Sequence, residues 1–334
     1  MKIATLDNGS IDGELIVVSQ DGKMAAKASQ IAPTFQNALD LWEEKQEALE
    51  DLYQKLNSGD LAEAFPLEIN KLLSPLPRAY AWLDGSAFIQ HVKLVRKARG
   101  AELPEDLLRV PLMYQGVSDR FLTPTEDIPQ IDESHGTDFE GEVGVITDHI
   151  PMGSSPEEAE EKILFFVLIN DVSLRGLIPA ELKNGFGFLQ GKPASSLSPF
   201  AITPSELGKA WSNGRINLPL NVKYNDKVFG RANAGEMHFS FGELLAHAAR
   251  TRDLHRGTIL GSGTVSNENP EVGSSCLAEK RMIEKINDGD IKTPFMKVGD
   301  TIEMNMLDED GHDLFGTIKQ KVIKSNARDI KSVR

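Results

Sequence analysis

Glu140 and Glu142 stand two residues apart inside the strand-like run Phe139 to Ile146. Side chains alternate faces along a strand, so both carboxylates point the same way. Such a pair repels unless it is solvated, protonated or bridged by a cation. Two further carboxylates sit in comparable places. Asp84 lies in Trp82-Leu-Asp-Gly85, and Asp171 follows the apolar run Ile163 to Ile169 and Asn170. The four offer oxygen ligands only, with no His or Cys beside them. Hard cations prefer that set, so Mg²⁺, Ca²⁺ or Mn²⁺ fits and zinc does not. A cage of this kind leaves positions for water or a chelating 2-oxo acid or 1,3-dicarbonyl, toward which the metal would act as a Lewis acid. Taken singly, each group has a plainer reading. The glutamate pair reads as a solvated outer face, and the two aspartates read as turn formers.

An anionic substrate needs local cations, and Arg96, Arg99, Arg175 and Lys192 are the candidates. His91, in Phe88-Ile-Gln-His91-Val-Lys-Leu, would by itself read as structural. His238 and His247 read as packing or capping residues, and His135, His149, His255 and His312 as surface residues. Gly261-Ser-Gly-Thr264 lacks the Gly-Lys-Ser/Thr ending of a phosphate loop and reads as a turn. The formal net charge of −14 argues against nucleic acid as a partner. Cys276 is the single cysteine, so no intrachain disulfide forms, which fits a reducing cytoplasm. The first residues lack the apolar run of a signal peptide, and the longest apolar run is too short to cross a bilayer as a helix. These features predict a soluble cytoplasmic protein.

The elements that must position these groups are legible in outline. Strands are expected before Asp7-Asn-Gly9 and through Leu15 to Val18, then one helix from about Thr34 to Leu56, stopped at Asn57-Ser-Gly59. The segment Leu73-Ser-Pro-Leu-Pro77 reads as a border. It divides a small N-terminal α+β domain, residues 1–75, from a catalytic domain, residues 76–334. Ser155 and Ser240 each open a capping box before a short helix. A buried strand is expected through Ile163 to Ile169, strand and turn through Asp253 to Thr264, and a terminal antiparallel pair at Val298–Met304 and Asp313–Lys319.

The order of these motifs resembles the fumarylacetoacetate hydrolase family. An aspartate precedes the catalytic histidine by seven residues in that family, as Asp84 precedes His91. A Glu-x-Glu pair follows, as at Glu140 and Glu142, then Asn170-Asp171-Val-Ser-Leu-Arg175, then Gly191-Lys192 with Ser196 four further on. A Ser-Gly-Thr turn closes the series at Ser262-Gly263-Thr264. The resemblance covers roughly residues 80 to 325. It implies a β-rich mixed-sheet roll of the fumarylacetoacetase C-terminal-domain type, and a homodimer. It makes Asp84, Glu140, Glu142 and Asp171 the metal ligands and His91 the base that activates water. Lys192 and Ser196 would lie beside the metal and the developing oxyanion. The glutamate that orients the histidine falls on Glu279, two residues later than the family places it. Arg96 or Arg99, Tyr114, Arg175 and Thr264 would contact substrate. Ser86, Ile178 and Leu182 stand where the animal enzyme has tyrosine, glutamine and tyrosine.

The implied activity is hydrolysis of a C–C bond in a small anionic dicarbonyl acid. Fumarylacetoacetate, in tyrosine and other aromatic amino acid breakdown, leads, because the chain before Asp84 is long, as in fumarylacetoacetase-type members. Fumarylpyruvate or another acylpyruvate is the alternative, as is 2-oxo acid decarboxylation, isomerisation or hydration.

Overall fold

The computed structural model describes residues 1–99, 102 and 105–325, and every side chain among them except those at 95, 98 and 99. The chain opens with antiparallel strands β1 (Lys2–Leu6), β2 (Glu14–Val18) and β3 (Met24–Lys27). Helices α1 (Phe35–Asp40) and α2 (Trp42–Ser58) follow. Thr34 caps α1, and Gly59 ends α2 in the left-handed conformation that favours glycine. The single helix predicted here is therefore two. The break falls at Leu41, where the Asp40 carbonyl accepts Arg256 Nη1 at 2.7 Å instead of continuing the helical ladder.

The site-bearing elements are β4 (Trp82–Gly85), α3 (Ile89–Arg99), β5 (Met113–Gln115), β6 (Ile128–Gln130), β7 (Gly141–Thr147), β8 (Ile163–Asn170), β9 (Ala201–Ile202), β10 (Pro219–Tyr224), β11 (Lys227–Asn233), β12 (Ile259–Gly261), α4 (Leu277–Asp288), β13 (Thr301–Met306) and β14 (Ile318–Lys324). They form an α+β fold with two principal sheets. The larger runs β3-β2-β1-β9-β8-β7-β12-β4-β5 with shorter strands at its margins. The first strands share this sheet with strands from the later part of the chain, since Lys2 pairs with Ile202. Its pairings are antiparallel except β12 with β4, which sets Gly261 beside Asp84. The smaller sheet runs β11-β10-β13-β14-β6. Both capping boxes form, at Ser155 and Ser240. The second strand of the terminal pair begins later than predicted, because Asp313 bonds Phe315 N and Thr317 Oγ1 and holds that stretch in a turn.

β8 is apolar without alternation because both of its faces are covered. Phe166 and Leu168 join one core with Leu220, Val222, Ile302 and Met304 of the smaller sheet. Phe165, Val167 and Ile169 join another with Phe35, Trp42 and Leu49 of the N-terminal helices. Phe165 is fully buried, and its ring meets Phe35 at 5.0 Å and Trp42 at 5.1 Å, both edge-on. Among the described residues, no helix is long and apolar enough to cross a membrane.

This packing makes Phe165 the point where the N-terminal helices dock on the catalytic sheet. Phe165→Ala should lower the unfolding free energy by about 3–5 kcal/mol, as deletion of a buried aromatic does. Urea denaturation measures it, and a loss below about 1 kcal/mol would refute this account of the docking.

Candidate metal and acid–base site

Three strand ends converge on one buried cluster. Asp84 sits near the end of β4, Glu142 is the second residue of β7, and Asp171 follows β8 directly. Ligand oxygens of these three carboxylates all lie within 4.8 Å of one another. Glycine makes the room. A Cβ on Gly261 would stand 2.6 Å from Asp84 Oδ1 and 2.8 Å from Glu142 Oε2. Gly263, at φ +78°, turns its N–H onto Asp84 Oδ1 at 3.1 Å, and a Cβ there would strike the Gly85 carbonyl at 2.3 Å.

Lys192 Nζ lies between two carboxylates, 2.6 Å from Glu140 Oε2 and 2.5 Å from Asp171 Oδ2. Arg175 grips Glu140 Oε1 at 2.5 Å and Asp138 Oδ2 at 2.9 Å. Tyr114 OH donates to Asp171 Oδ2 at 2.5 Å, and Ser195 Oγ donates to Asp171 Oδ1 at 2.6 Å. Phe188 packs edge-on against the Tyr114 ring.

The strand begins at Gly141 rather than at Phe139, so Glu140 stands just before it and Glu142 within it, and the two sit in opposite fields. Burial pushes the Glu140 carboxyl up, but Arg175 and Lys192 outweigh it and hold the group well below the usual carboxylate range. Glu142 has no such partner. Burial, then Asp84 and Asp171, drive it well above that range. Asp84 is pushed up to about 8, by burial first and Asp171 next. Both Glu142 oxygens are buried without a hydrogen-bond partner among the described residues. Three clustered carboxylates, one with both oxygens unpartnered, fit a hard divalent cation.

The base candidate is complete on the other side. His91 lies in the first turn of α3, and its Nδ1 is 3.0 Å from Oε2 of Glu279, a buried residue in the first turn of α4. His91 is also near enough for its charge to act on Glu140.

The placement of the remaining predicted residues is mixed. Glu140 does not join the three carboxylates whose oxygens lie within 4.8 Å of one another, and its own oxygens bond Arg175 and Lys192. Arg175 is bound to two carboxylates rather than facing substrate. Ser196 turns away and donates to the Thr123 carbonyl at 3.1 Å. Its neighbour Ser195 reaches the cluster instead, because adjacent residues of an extended chain face opposite sides. Thr264 is buried directly after the Gly263 turn. Arg96 donates to the Glu102 carbonyl at 3.0 Å, and the side chain of Arg99 lies outside the described residues. Sequence reasoning missed Ser195, Phe188 and Asp138. Asp138 alone had a signal, the same two-residue spacing before Glu140.

The chain matches the model of the fumarylacetoacetate (FAA) hydrolase C-terminal domain over residues 81–323. It matches fumarylacetoacetase N-terminal domain 2 over residues 1–78. It is 25% identical to 2,4-didehydro-3-deoxy-L-rhamnonate hydrolase of Sphingomonas sp. (strain SKA58), over 64% of this chain and 65% of that one. It is 23% identical to the mitochondrial oxaloacetate tautomerase fahd2 of Xenopus laevis, over 46% of this chain and 47% of that one. The chain thus spans less than two thirds of the length of these curated relatives. Its fold is similar to the crystal structure of maleylpyruvate hydrolase from Sphingobium sp. SYK-6 in complex with manganese(II) ion and pyruvate. That match has a TM-score of 0.64 and 15% identity, covering 98% of this chain and 100% of the other.

Two predictions follow from the cluster's electrostatics. A carboxyl raised in the fold contributes stability below its unfolded pKa of about 4 and loses it as pH rises through its folded value. For Asp84 that loss runs up to about pH 8. The melting temperature of metal-free protein should therefore fall between about pH 5 and pH 9, and saturating Mn²⁺ should remove most of the fall. Mn²⁺ affinity should rise about tenfold per pH unit for each proton released. Calorimetric titrations showing affinity independent of pH would contradict this. Glu142→Ala should weaken Mn²⁺ binding by at least about 10²-fold. It should leave the metal-free fold as stable or more so, because it removes an uncompensated buried carboxylate. Unchanged Mn²⁺ affinity in that variant would exclude Glu142 as a ligand.

Proposed function

The chain belongs to the fumarylacetoacetate hydrolase family, and from that premise we propose that it hydrolyses a C–C bond in a small 1,3-dicarbonyl acid with the help of a divalent cation. Asp84, Glu142 and Asp171 hold the cation, which is Mg²⁺, Mn²⁺ or Ca²⁺. Glu140 takes part through Lys192. When bound, the metal supplies Lewis-acid polarisation of the oxygens that chelate it.

The observation that carries hydrolysis is the His91–Glu279 pair. A carboxylate accepting from Nδ1–H leaves Nε2 as the proton acceptor. In this reading His91 takes a proton from water, and the water oxygen attacks the acyl carbonyl carbon. Collapse of the tetrahedral adduct breaks the C–C bond. The electron pair passes into the carbonyl of the leaving fragment, whose carbon is then protonated. Lys192 holds positive charge beside Asp171 while negative charge develops on the substrate. Fumarylacetoacetate is the leading substrate, giving fumarate and acetoacetate, and the match of residues 1–78 to a fumarylacetoacetase N-terminal domain supports it.

A second reading is tautomerisation of a 2-oxo acid such as oxaloacetate. The observation that favours it is the convergence of Lys192 Nζ and Tyr114 OH on Asp171 Oδ2, which sets proton carriers beside the cluster without need of an attacking water.

A panel of fumarylacetoacetate, fumarylpyruvate, acetylpyruvate and oxaloacetate, assayed with Mg²⁺ and Mn²⁺, separates the two. Release of two fragments supports hydrolysis, and keto–enol conversion of oxaloacetate alone supports the second reading. General-base help is worth about 10²- to 10⁴-fold, so His91→Ala should cut kcat by that factor while Mn²⁺ binding survives. Hydrolysis at the wild-type rate in this variant would rule out His91 as the base.

A further inference from the structure

Asp138 lies two residues before Glu140, and its side chain is fully buried. Its carboxylate carries three bonds. Oδ1 accepts Leu277 N at 2.8 Å, and Oδ2 accepts Ala278 N at 2.9 Å together with Arg175 Nε at 2.9 Å. Leu277 and Ala278 are the first two residues of α4, and Glu279 is the third.

A helix begins with N–H groups that no helical carbonyl satisfies. The preceding residue, commonly Ser, Thr, Asp or Asn, usually caps one of them. Here that residue is Cys276, whose Sγ takes Glu279 N at 3.3 Å and is a weak acceptor. A carboxylate from a distant part of the chain does the remaining capping. Its charge also complements the positive end of the helix. The position of that end fixes Glu279, and Glu279 holds His91. Through Arg175 the same Asp138 oxygen fixes Glu140, which holds Lys192.

We propose that Asp138 is a positioning residue that sets His91 through the N-terminus of α4 and locks it in register with the acidic cluster through Arg175. The proposal rests on the reading of His91 as the general base. An asparagine at position 138 would turn one acceptor into an N–H₂ donor facing the helix N–H groups or Arg175, and buried donors would lose their partner. A base displaced by about 1 Å can lose about 10²-fold in rate.

The test uses the full chain with Mg²⁺ and ¹⁵N-labelled histidine, with the His91 ring signals identified by their loss in His91→Ala. In the wild type, the ring should show one tautomer with the proton on Nδ1. Asp138→Asn should give a mixture of tautomers, and kcat for fumarylacetoacetate should fall about 10²-fold with KM little changed. In a Glu279→Gln background, Asp138→Asn should add almost nothing, because both changes act through His91. Wild-type ring signals in Asp138→Asn, or full additivity with Glu279→Gln, would overturn the proposal. Should Asp138→Asn not fold, Asp138→Glu keeps the charge and both acceptors but moves them by one methylene. Its His91 signals should shift in the same direction, and unshifted signals would equally overturn the proposal. If His91→Ala keeps the wild-type rate, hydrolysis by this base is wrong. The tautomer readout still decides whether Asp138 positions the ring.

Discussion

Lys192 holds two buried carboxylates that could not otherwise share one interior. Glu140 directly precedes β7 and Asp171 directly follows β8, both are buried, and the lysine amine stands between them at hydrogen-bonding distance. An unpaired charge in such surroundings costs several kcal/mol, whereas a paired and hydrogen-bonded one is tolerated. Burial alone would lower the lysine's pKa, but Asp171 and Glu140 raise it above its ordinary value. Arg175 completes the neutralisation of Glu140 and extends it to Asp138. Two cations thus serve one side of the cluster. Among the described residues neither Asp84 nor Glu142 forms an ion pair, and burial first drives both carboxyls up. Glu140, just before β7, is therefore held well below the usual carboxylate range, while Glu142, two residues on, is driven well above it. The two carboxylates thus differ in their surroundings although their spacing treats them alike.

The sheet makes this charge pattern possible by excluding water from both faces. Phe165, Val167 and Ile169 pack toward the N-terminal helices, while Phe166 and Leu168 pack toward the smaller sheet. The site then sits where strands end, because only there can side chains from separate strands converge. The parallel pairing of β12 with β4 matters for the same reason. It aligns Gly261 with Asp84, and the missing side chain leaves space for two carboxylates.

Much of this was legible in the sequence because the signals are local. The two-residue spacing of Glu140 and Glu142, the aspartate closing an apolar run and the capping boxes at Ser155 and Ser240 each depend on a few neighbouring residues. The pairing of His91 with Asp84 and the choice of Glu279 are of another kind, since both came only from the resemblance to the family. What escaped depends on long-range partners. Nothing near Leu41 announces that Arg256 will take the Asp40 carbonyl and break the helix. Ser195 and Ser196 are the same residue type, and only the direction of the chain as it leaves Lys192 decides which reaches Asp171. Glu140 and Glu142 share a face, as their spacing requires, yet one meets two cations and the other meets acids. Spacing encodes direction, while the identity of the partner comes from the tertiary fold.

The acidic cluster and the base pair are built on different kinds of element. Asp84, Glu142 and Asp171 belong to strand ends held by a continuous hydrogen-bonded sheet. His91 and Glu279 belong to the first turns of two helices that pack against each other. A helix terminus can shift by a fraction of a turn at modest cost, whereas a central strand cannot slip without turning its whole apolar face outward. Strand pairing thus fixes Asp84, Glu142 and Asp171 relative to one another, whereas the His91–Glu279 pair depends on what anchors the two helix ends, which for α4 is the Asp138 carboxylate.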